Sequence, residues 1–391
     1  MRRVLLAIVL ACAAVSVLLA QQRPVLYKVD PFWPKMPLPN NWSMQQVVDI
    51  YVDRDDHVWI INRPDDARPD EIGAPRVACC AKGPEIVEFD PEGNVVNSWT
   101  GSAHPGWPGR LQTIGVDRQK NVYVSGTRPG DSIIKFSRDG KFLWDFGHRG
   151  PKVPAEQVKM NNQQTDIFPP GIGAFDFDED AREVYITDGF LNKRVLVYDM
   201  DSGAFKRGWG GHGMALSEIT NEPTPPYDWS GGPPPDQKDF APALHCVHLS
   251  RDKLVYVCER GMNRIQVFTT QGKFVKSFQV RPETPARGPQ CGGIWSTTAP
   301  PCGTVYNLAL SRDPQQRHIL VADGTNNTVW VLDRQTGALV SSFGGNGRYA
   351  GQLHWIDAIK IDSKGNVYTG EVEDGKRIQK FVPVHALSSI R

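Results

Sequence analysis

Excess charge is missing from this sequence. It has 44 lysines and arginines against 43 aspartates and glutamates, and the basic residues are scattered along the chain. Proteins that bind nucleic acid or an anionic membrane surface usually present a strongly basic patch. We therefore expect neither partner. P-loop, G-x-S-x-G, haem-attachment and zinc-finger motifs are missing as well, so these familiar nucleotide, hydrolase and metal sites are not predicted.

Helical periodicity is almost absent after residue 20, and no later apolar run is long enough to cross a bilayer. The first 20 residues differ, because Arg2 and Arg3 precede the apolar run Val4–Ala20 and a polar Gln-Gln pair follows it. This pattern predicts a secretory signal peptide cleaved after Ala20. A retained membrane anchor is the alternative, although the run is shorter than the ~20 residues that a span needs. We expect an exported protein, periplasmic or secreted, in which residues 21–391 form a single domain.

Cysteine is scarce, but the six cysteines beyond the predicted signal peptide form an even set, as expected in an oxidising compartment. Six cysteines allow fifteen pairings, so only local geometry favours particular pairs. Three pairs stand out: Cys246 with Cys258, Cys291 with Cys302, and Cys79 with Cys80. The first pair flanks a predicted hairpin at facing positions, and the second brackets a Gly/Pro-rich loop. For the adjacent pair we expect a vicinal disulfide, with two free buried thiols as the alternative.

A recurring unit is the main positive feature of the sequence. The repeated pattern is a predicted strand, an Asp-Gly-like turn and a second predicted strand. It occurs at Val184–Asp199, Val255–Phe268, Ile319–Asp333 and Val367–Phe381, with a looser copy at Val122–Phe136 and half a copy at Val58–Asp66. An apolar strand that ends in a turn precedes each copy of this pattern, and a strand that ends in an aromatic residue generally follows it. Four short alternating strands separated by turn residues predict one antiparallel meander.

The units are six in number and predict the fold. They begin near Val47, Gln112, Gly171, Leu244, Val305 and Ile356. Repeats of ~40–50 residues with four strands are typical of β-propeller blades, because one small sheet cannot bury both faces alone. The fold prediction is an all-β, six-bladed propeller. The last unit has only three strands, so we expect Pro24–Asp30 to pair with Arg377–Val384 as its fourth, which closes the ring and covers a sheet edge.

The stretch "FGGNGRYAGQLHWIDAIKID", Phe343–Asp362, has the aromatic-Gly-Gly and Gly-x-x-x-Gly-x-hydrophobic spacing that precedes blades in NHL-repeat propellers. The chain resembles this family over nearly all of residues 21–391. Within the family it is most similar to the peptidyl-α-hydroxyglycine α-amidating lyases. That resemblance implies a catalytic zinc held by histidines near the central axis, with two arginines and a tyrosine beside it.

Both arginines of the lyase motif are present, Arg63 in "IINRPD" and Arg260 in "VCERGMNRIQ", together with one zinc histidine, His245 in "ALHCVHLS". The two arginines occupy the same corner of different blades, so we expect them on one face of the disk as catalytic or ligand-binding groups. Guanidinium groups placed there suit a carboxylate or another oxyanion. The alternative is that both are surface cations paired with neighbouring acids, namely Asp65, Asp66 and Glu259.

Three positions depart from the lyase motif. Gln112 and Asp357 stand where the lyases have their other zinc histidines, and Phe190 stands where they have the tyrosine. Catalytic zinc generally has three protein ligands and one open position. His245 and Asp357 are two good ligands for a zinc or calcium ion, whereas Gln112 is a poor third. The alternative is a hydrogen-bonded polar ring around the axis. We expect Gln112, Phe190 and Tyr306 to line a ligand pocket.

Three functions follow from these residues. The first is an exported, lyase-like enzyme that holds a small carboxylate-bearing molecule or peptide between Arg63 and Arg260. The second is a non-catalytic binding or scaffold propeller, and the third is a metal-dependent lactonase or hydrolase, which Asp357 alone supports. The inner strands of a propeller all run the same way along the axis. We therefore expect Gln112, His245 and Asp357, which share one repeat position, to form a ring at one mouth of the channel.

Overall fold

The computed structural model describes residues 25–67, 71, 81–154, 157–168, 171–227, 229–231, 237–292 and 302–384. The predicted signal peptide and the adjacent Cys79 and Cys80 lie outside the described residues. Within these ranges, the helical segments are single 3-10 turns, at Pro39–Asn41, Pro64–Asp66, Gly211–Gly213, Leu216–Glu218 and Arg260–Met262. None of the described helices has the length and apolar character needed to cross a membrane.

Six antiparallel sheets of four strands form the blades, as the repeats predict. The chain starts with β1 (Tyr27–Asp30), and β2 (Trp42–Ser43) pairs in parallel with β5 (Ala81–Lys82). Blade 1 contains β3 (Gln46–Val52), β4 (Val58–Arg63), β6 (Ile86–Phe89) and β7 (Val95–Trp99). Blade 2 contains β8 (Leu111–Val116), β9 (Val122–Gly126), β10 (Ile134–Phe136) and β11 (Phe142–Asp145). Blade 3 contains β12 (Ala174–Asp178), β13 (Glu183–Asp188), β14 (Arg194–Asp199) and β15 (Phe205–Trp209).

The second half of the ring repeats this arrangement. Blade 4 contains β16 (Leu244–Leu249), β17 (Leu254–Glu259), β18 (Arg264–Thr269) and β19 (Phe274–Gln279). Blade 5 contains β20 (Asn307–Leu310), β21 (His318–Asp323), β22 (Thr328–Asp333) and β23 (Leu339–Gly344). Blade 6 contains β24 (Ile356–Ile361), β25 (Val367–Glu371), β26 (Ile378–Pro383) and β1. The first strand named in each of the six blades is the innermost.

The predicted closure of the ring is confirmed. β1 pairs antiparallel with β26, so that Tyr27 lies opposite Pro383 and Asp30 lies opposite Lys380. The innermost strands contact one another in order from blade 1 to blade 6, and β24 then contacts β3. Strands from both ends of the described chain therefore share blade 6, and β1 covers an edge of β26 that would otherwise be exposed.

The core consists of apolar layers between neighbouring blades. One cluster joins blades 4 and 5 through side chains that include Tyr256 and Val321. Another joins blades 5 and 6 through side chains that include Val329 and Ile359. Because its neighbours cover both faces, the inner strand Leu111–Val116 is buried along its whole length. Burial of these faces between blades is the main force that assembles the ring.

Two of the three expected cysteine pairs are disulfides. Cys246 and Cys258 lie opposite each other in the β16–β17 ladder, with their Cα atoms 4.8 Å apart. Cys291 and Cys302 are joined across their loop, with a Cα–Cα distance of 5.5 Å. Disulfides of this kind are expected in an oxidising compartment.

Candidate functional site

Among the described inner strands, four carry a β-bulge at the same position. The extra residues at these bulges are Val48, Gln112, His245 and Asp357. In blade 5 the equivalent position is Tyr306, which directly precedes β20. A bulge re-aims one side chain and is common next to functional sites. These residues therefore lie at one level of the central channel, and we call this end the upper mouth.

His245 and Asp357 face each other at the upper mouth. The distance from Nε2 of His245 to Oδ1 of Asp357 is 3.7 Å, and the two residues are only 6% and 7% exposed. Nδ1–H of His245 donates a hydrogen bond to the Tyr306 carbonyl oxygen at 2.9 Å. Nε2 is therefore the nitrogen that lacks a proton when the ring is neutral. Burial, and then the positive charge of Arg260, lowers the pKa of His245 to about 3, which keeps the ring neutral at pH 7.

Asp357 lies in a positive electrostatic environment. Burial raises the pKa of its carboxyl group to about 6, and the charges of Arg63, Arg260 and Arg110 oppose that rise. Desolvation penalises the charged form of a carboxyl group, whereas nearby cations favour it. Asp357 is therefore mostly ionised at pH 7 and gains a proton on mild acidification.

Arg63 is held in place by neutral hydrogen-bond acceptors. Its Nε donates to the Leu111 carbonyl oxygen at 2.6 Å, Nη2 donates to Oε1 of Gln112 at 2.8 Å, and Nη1 donates to Oε1 of Gln46 at 3.3 Å. Burial, and then repulsion from Arg110, lowers the pKa of Arg63 to about 9, so the guanidinium group remains charged at pH 7. Its orientation is fixed while its charge is left without a bonded carboxylate among the described residues.

Arg260 stacks on an aromatic ring. Its guanidinium carbon lies 4.7 Å from the centre of the Tyr306 ring, a cation–π contact. Among the described residues, no carboxylate lies within ion-pair distance of Arg260. The acids that neighbour the two arginines in the sequence form ion pairs with other basic residues: Glu259 with Arg264, Asp66 with Arg110 and Asp65 with Lys82. The described contacts therefore do not contain the surface ion pairs that were the alternative for Arg63 and Arg260.

Two aromatic rings flank His245. The ring centre of Phe190 lies 5.7 Å from that of His245 at an interplanar angle of 70°, and the ring centre of Tyr306 lies 5.4 Å away. The Tyr306 hydroxyl is buried and forms no hydrogen bond to a described residue. Thr325 is near it, but the Thr325 hydroxyl donates to the Gly303 carbonyl oxygen. The walls beside His245 are thus largely apolar.

The described residues of the upper mouth do not fit a metal centre. Nε2 of His245 and the Asp357 carboxylate are suitable ligand atoms, but no third histidine, cysteine or carboxylate of the described residues completes a set with them. Zinc needs three protein ligands, and calcium takes six to eight oxygens. The positive charges of Arg63 and Arg260 also oppose a cation there. No step of a reaction is therefore assigned to a metal.

One group of three possible ligands does occur within the described ranges, at Asp53, His57 and Glu88 on the side of blade 1. Its oxygens already have partners. Both Glu88 oxygens accept hydrogen bonds from Arg138 at 2.9 Å, and Oδ2 of Asp53 accepts one from the indole of Trp59 at 3.0 Å. This group is a structural network rather than a metal site.

A cavity of about 150 Å³ opens beside Arg63, lined by residues that include Asp66, Trp107 and Arg110. Arg110 was not among the site residues predicted from the sequence. Its Nη1 lies 3.0 Å from Oδ1 of Asp66, and its charge acts on both Arg63 and Asp357. In the sequence, Arg110 is marked only as a basic residue directly before β8. In a chain with 44 lysines and arginines, that position alone does not indicate a site residue.

Comparison with known proteins supports the fold and leaves the family open. No protein-family model and no curated protein matches the chain. A structural-genomics protein of unknown function from Bacteroides thetaiotaomicron VPI-5482 is similar in structure, with a TM-score of 0.52 and 14% identity over 88% of this chain and 70% of that chain. At this identity the likeness concerns the fold alone. The six-bladed propeller is therefore shown, whereas the resemblance to NHL-repeat lyases remains a sequence-based expectation.

Proposed function

We propose that the protein binds a small molecule with a carboxylate group and an apolar body at the upper mouth, between Arg63 and Arg260. One observation carries this proposal. Two partly buried guanidinium groups occupy equivalent corners of blades 1 and 4, at the ends of β4 and β17, and neither has a carboxylate partner among the described residues. Hydrogen bonds from partly desolvated guanidinium groups stabilise the charged form of an oxyanion that approaches them.

Both arginines are pre-organised for such a ligand. Arg63 is fixed by Gln112 and by the Leu111 carbonyl oxygen, and Arg260 is fixed against the Tyr306 ring. A guanidinium group that is already oriented loses less entropy when it binds a carboxylate through two parallel hydrogen bonds. The rings of Phe190 and Tyr306 beside His245 favour an apolar group on the rest of the ligand.

Lyase chemistry is not included in the proposal. The reaction of the amidating lyases relies on a zinc triad and a tyrosine, whereas this chain has Gln112 and Asp357 at two triad positions and Phe190 at the tyrosine position. Without a metal, the pKa of a bound water stays at the high value of bulk water instead of falling to ~7, so hydroxide is scarce at neutral pH. The binding function does not depend on that chemistry, and a peptide with a free C-terminal carboxylate is within the same ligand class.

Isothermal titration with benzoate and benzamide tests the proposal, because the two molecules have nearly the same shape and differ in charge. We expect the protein from residue 21 onward to bind benzoate and not benzamide, and we expect Arg63→Met and Arg260→Met to lose the benzoate signal. Arg317→Met is the matched control, because Arg317 is exposed and pairs with Asp313. Equal binding of both molecules, or no loss in the two arginine variants, would falsify the proposal.

A further inference from the structure

A second ring of side chains lies at the opposite end of the channel. Its members stand three residues beyond the upper ring on each inner strand: Tyr51, Gly115, Asp176, His248, Ala309 and Lys360. All of them except Gly115 line a cavity of about 200 Å³, which Arg312 and Gln316 complete at its rim. We call this end the lower mouth. No motif in the sequence indicated a function for these residues.

The carboxylates near the lower mouth are already used as acceptors. Oδ2 of Asp176 accepts the backbone N–H of Leu249 at 2.8 Å, and Oδ1 accepts that of Phe177 at 2.8 Å. Asp49, which is buried behind the ring, accepts hydrogen bonds from the backbone N–H of Ile50 and Ile114 and from the Thr113 hydroxyl. Each carboxylate thus ties its own inner strand to that of the next blade.

The donors at the lower mouth are far less occupied. Nζ of Lys360 contacts the two ring nitrogens of His248, at 3.3 and 3.4 Å. The charges of Asp49 and Asp176 act on it, but among the described residues no carboxylate oxygen lies within ion-pair distance of its Nζ. Nε2–H of His248 donates to Oδ1 of Asn307 at 2.8 Å, which leaves Nδ1 as the one imidazole acceptor for Lys360. An ammonium group has three N–H donors. At least two of those of Lys360 are therefore left for another partner.

Two further donors face the same cavity. The Tyr51 hydroxyl forms no hydrogen bond to a described residue. Arg312 donates through Nε and Nη2 to the Ile361 carbonyl oxygen at 3.0 and 2.6 Å, which leaves its Nη1 available at the exposed rim. Since these carboxylate oxygens are used as acceptors and the donors are not, a ligand that fits this cavity must bring hydrogen-bond acceptors.

We propose that the lower mouth is a second binding site, which holds a small oxyanion against the Lys360 ammonium, the Tyr51 hydroxyl and the Arg312 guanidinium. Carboxylate and phosphate share the required chemistry, as both carry charged oxygens that accept several hydrogen bonds. The site is independent of the proposed function, because it lies at the other end of the axis and uses none of the upper residues. A cavity of about 200 Å³ accommodates inorganic phosphate or a short carboxylic acid.

The test uses a protein whose upper mouth is disabled by Arg63→Met and Arg260→Met. Isothermal titration with inorganic phosphate and, in a separate experiment, with acetate measures the affinity of each oxyanion for this double variant. We expect one of them to bind this double variant as tightly as it binds the lower mouth of the unmodified protein. Adding Lys360→Met should weaken that binding roughly tenfold to a hundredfold, as expected for hydrogen bonds to a charged group. Lys141→Met, at a residue whose side chain is 80% exposed, should change nothing.

Tyr51→Phe provides a second readout if Lys360→Met impairs folding, because it removes one hydroxyl and preserves the ring. We expect it to weaken binding of the same oxyanion severalfold, with unchanged circular dichroism. Binding of phosphate alone or acetate alone supports the site and identifies the source of the charged oxygens. The proposal is overturned if neither anion binds the double variant, or if Tyr51→Phe and Lys360→Met bind as tightly as their parent.

Discussion

The guanidinium group of Arg260 lies over the ring of Tyr306, 4.7 Å from its centre, while the neighbouring Glu259 is bound by Arg264 instead. Arg264 is only 4% exposed and lies directly opposite Glu259 in the β17–β18 ladder. Two arginines four positions apart thus have different surroundings. One completes a buried ion pair within a blade, and the other presents its charge to the channel.

This difference predicts opposite behaviour for two matched variants. Arg264→Met leaves the buried Glu259 carboxylate without its ion-pair partner and should destabilise the protein by about 3 to 5 kcal/mol. Arg260→Met should leave the melting temperature nearly unchanged and abolish benzoate binding. Thermal unfolding of both variants measures the change in stability, and isothermal titration measures the change in benzoate binding. The assignment is wrong if Arg260→Met unfolds the protein while Arg264→Met is tolerated.

Gln112 is predicted to act through Arg63. Its Oε1 accepts the hydrogen bond from Nη2 of Arg63, so Gln112→Met should release the guanidinium group without removing any charge. We expect benzoate to bind roughly fivefold to tenfold more weakly, because the lost hydrogen bond contributes about 1 kcal/mol to orientation. Isothermal titration measures the change. Unaltered affinity would show that Gln112 does not position Arg63.

Stability should fall in acid through Glu183. Hydrogen bonds from Arg207, at 2.8 and 2.5 Å, lower the pKa of Glu183 from 4.5 to about 2. A depressed folded-state pKa means that this contribution is fully present above pH 4.5 and is lost as the pH falls toward 2. At pH 7 it is at most about 3 kcal/mol. Urea unfolding should show a gap between the natural protein and Glu183→Gln that shrinks from pH 5 to pH 3. A gap that is constant with pH contradicts the prediction.

The Cys246–Cys258 disulfide should stabilise the fold without contributing to binding. It closes a short hairpin, with a sequence separation of 12, so replacing both cysteines with alanine should cost about 3 kcal/mol. The side chains are buried between blades 4 and 5, and the loss of packing adds to this cost. Denaturant unfolding of the double variant measures it, with titration of benzoate as the control. A double variant as stable as the natural protein would show that the cross-link is dispensable.

Cys79 and Cys80 are predicted to be joined to each other. The other four cysteines beyond the predicted signal peptide are paired, and a protein in an oxidising compartment is expected to lack free thiols. Labelling with a thiol reagent under denaturing, non-reducing conditions should therefore find no free cysteine in the protein from residue 21 onward. Two labelled thiols at these positions would instead support the alternative of free cysteines.

The sequence by itself determined the architecture. Strand alternation and turn residues are local properties, so the six units and the position of each inner strand were visible without a structure, as in Val184–Asp199 and Ile319–Asp333. The missing fourth strand of the last unit predicted that Pro24–Asp30 closes the ring, and β1 does so. Repeat alignment also placed Gln112, His245 and Asp357 at one equivalent position, because copies of a unit around an axis form rings.

Only the tertiary structure decided which charges are compensated. Adjacency in the sequence suggested Glu259 as a partner for Arg260, but Glu259 is the last residue of β17 and Arg260 already belongs to the 3-10 turn that follows. Glu259 therefore meets Arg264 across the ladder. The hydrogen bonding of the lower mouth, with Lys360 beside His248, was equally hidden, because repeat alignment groups equivalent positions into a ring but does not show which donors and acceptors are already bonded. Ion pairing depends on side-chain direction and on contacts between distant segments, and neither is set by the local pattern that fixes the strands.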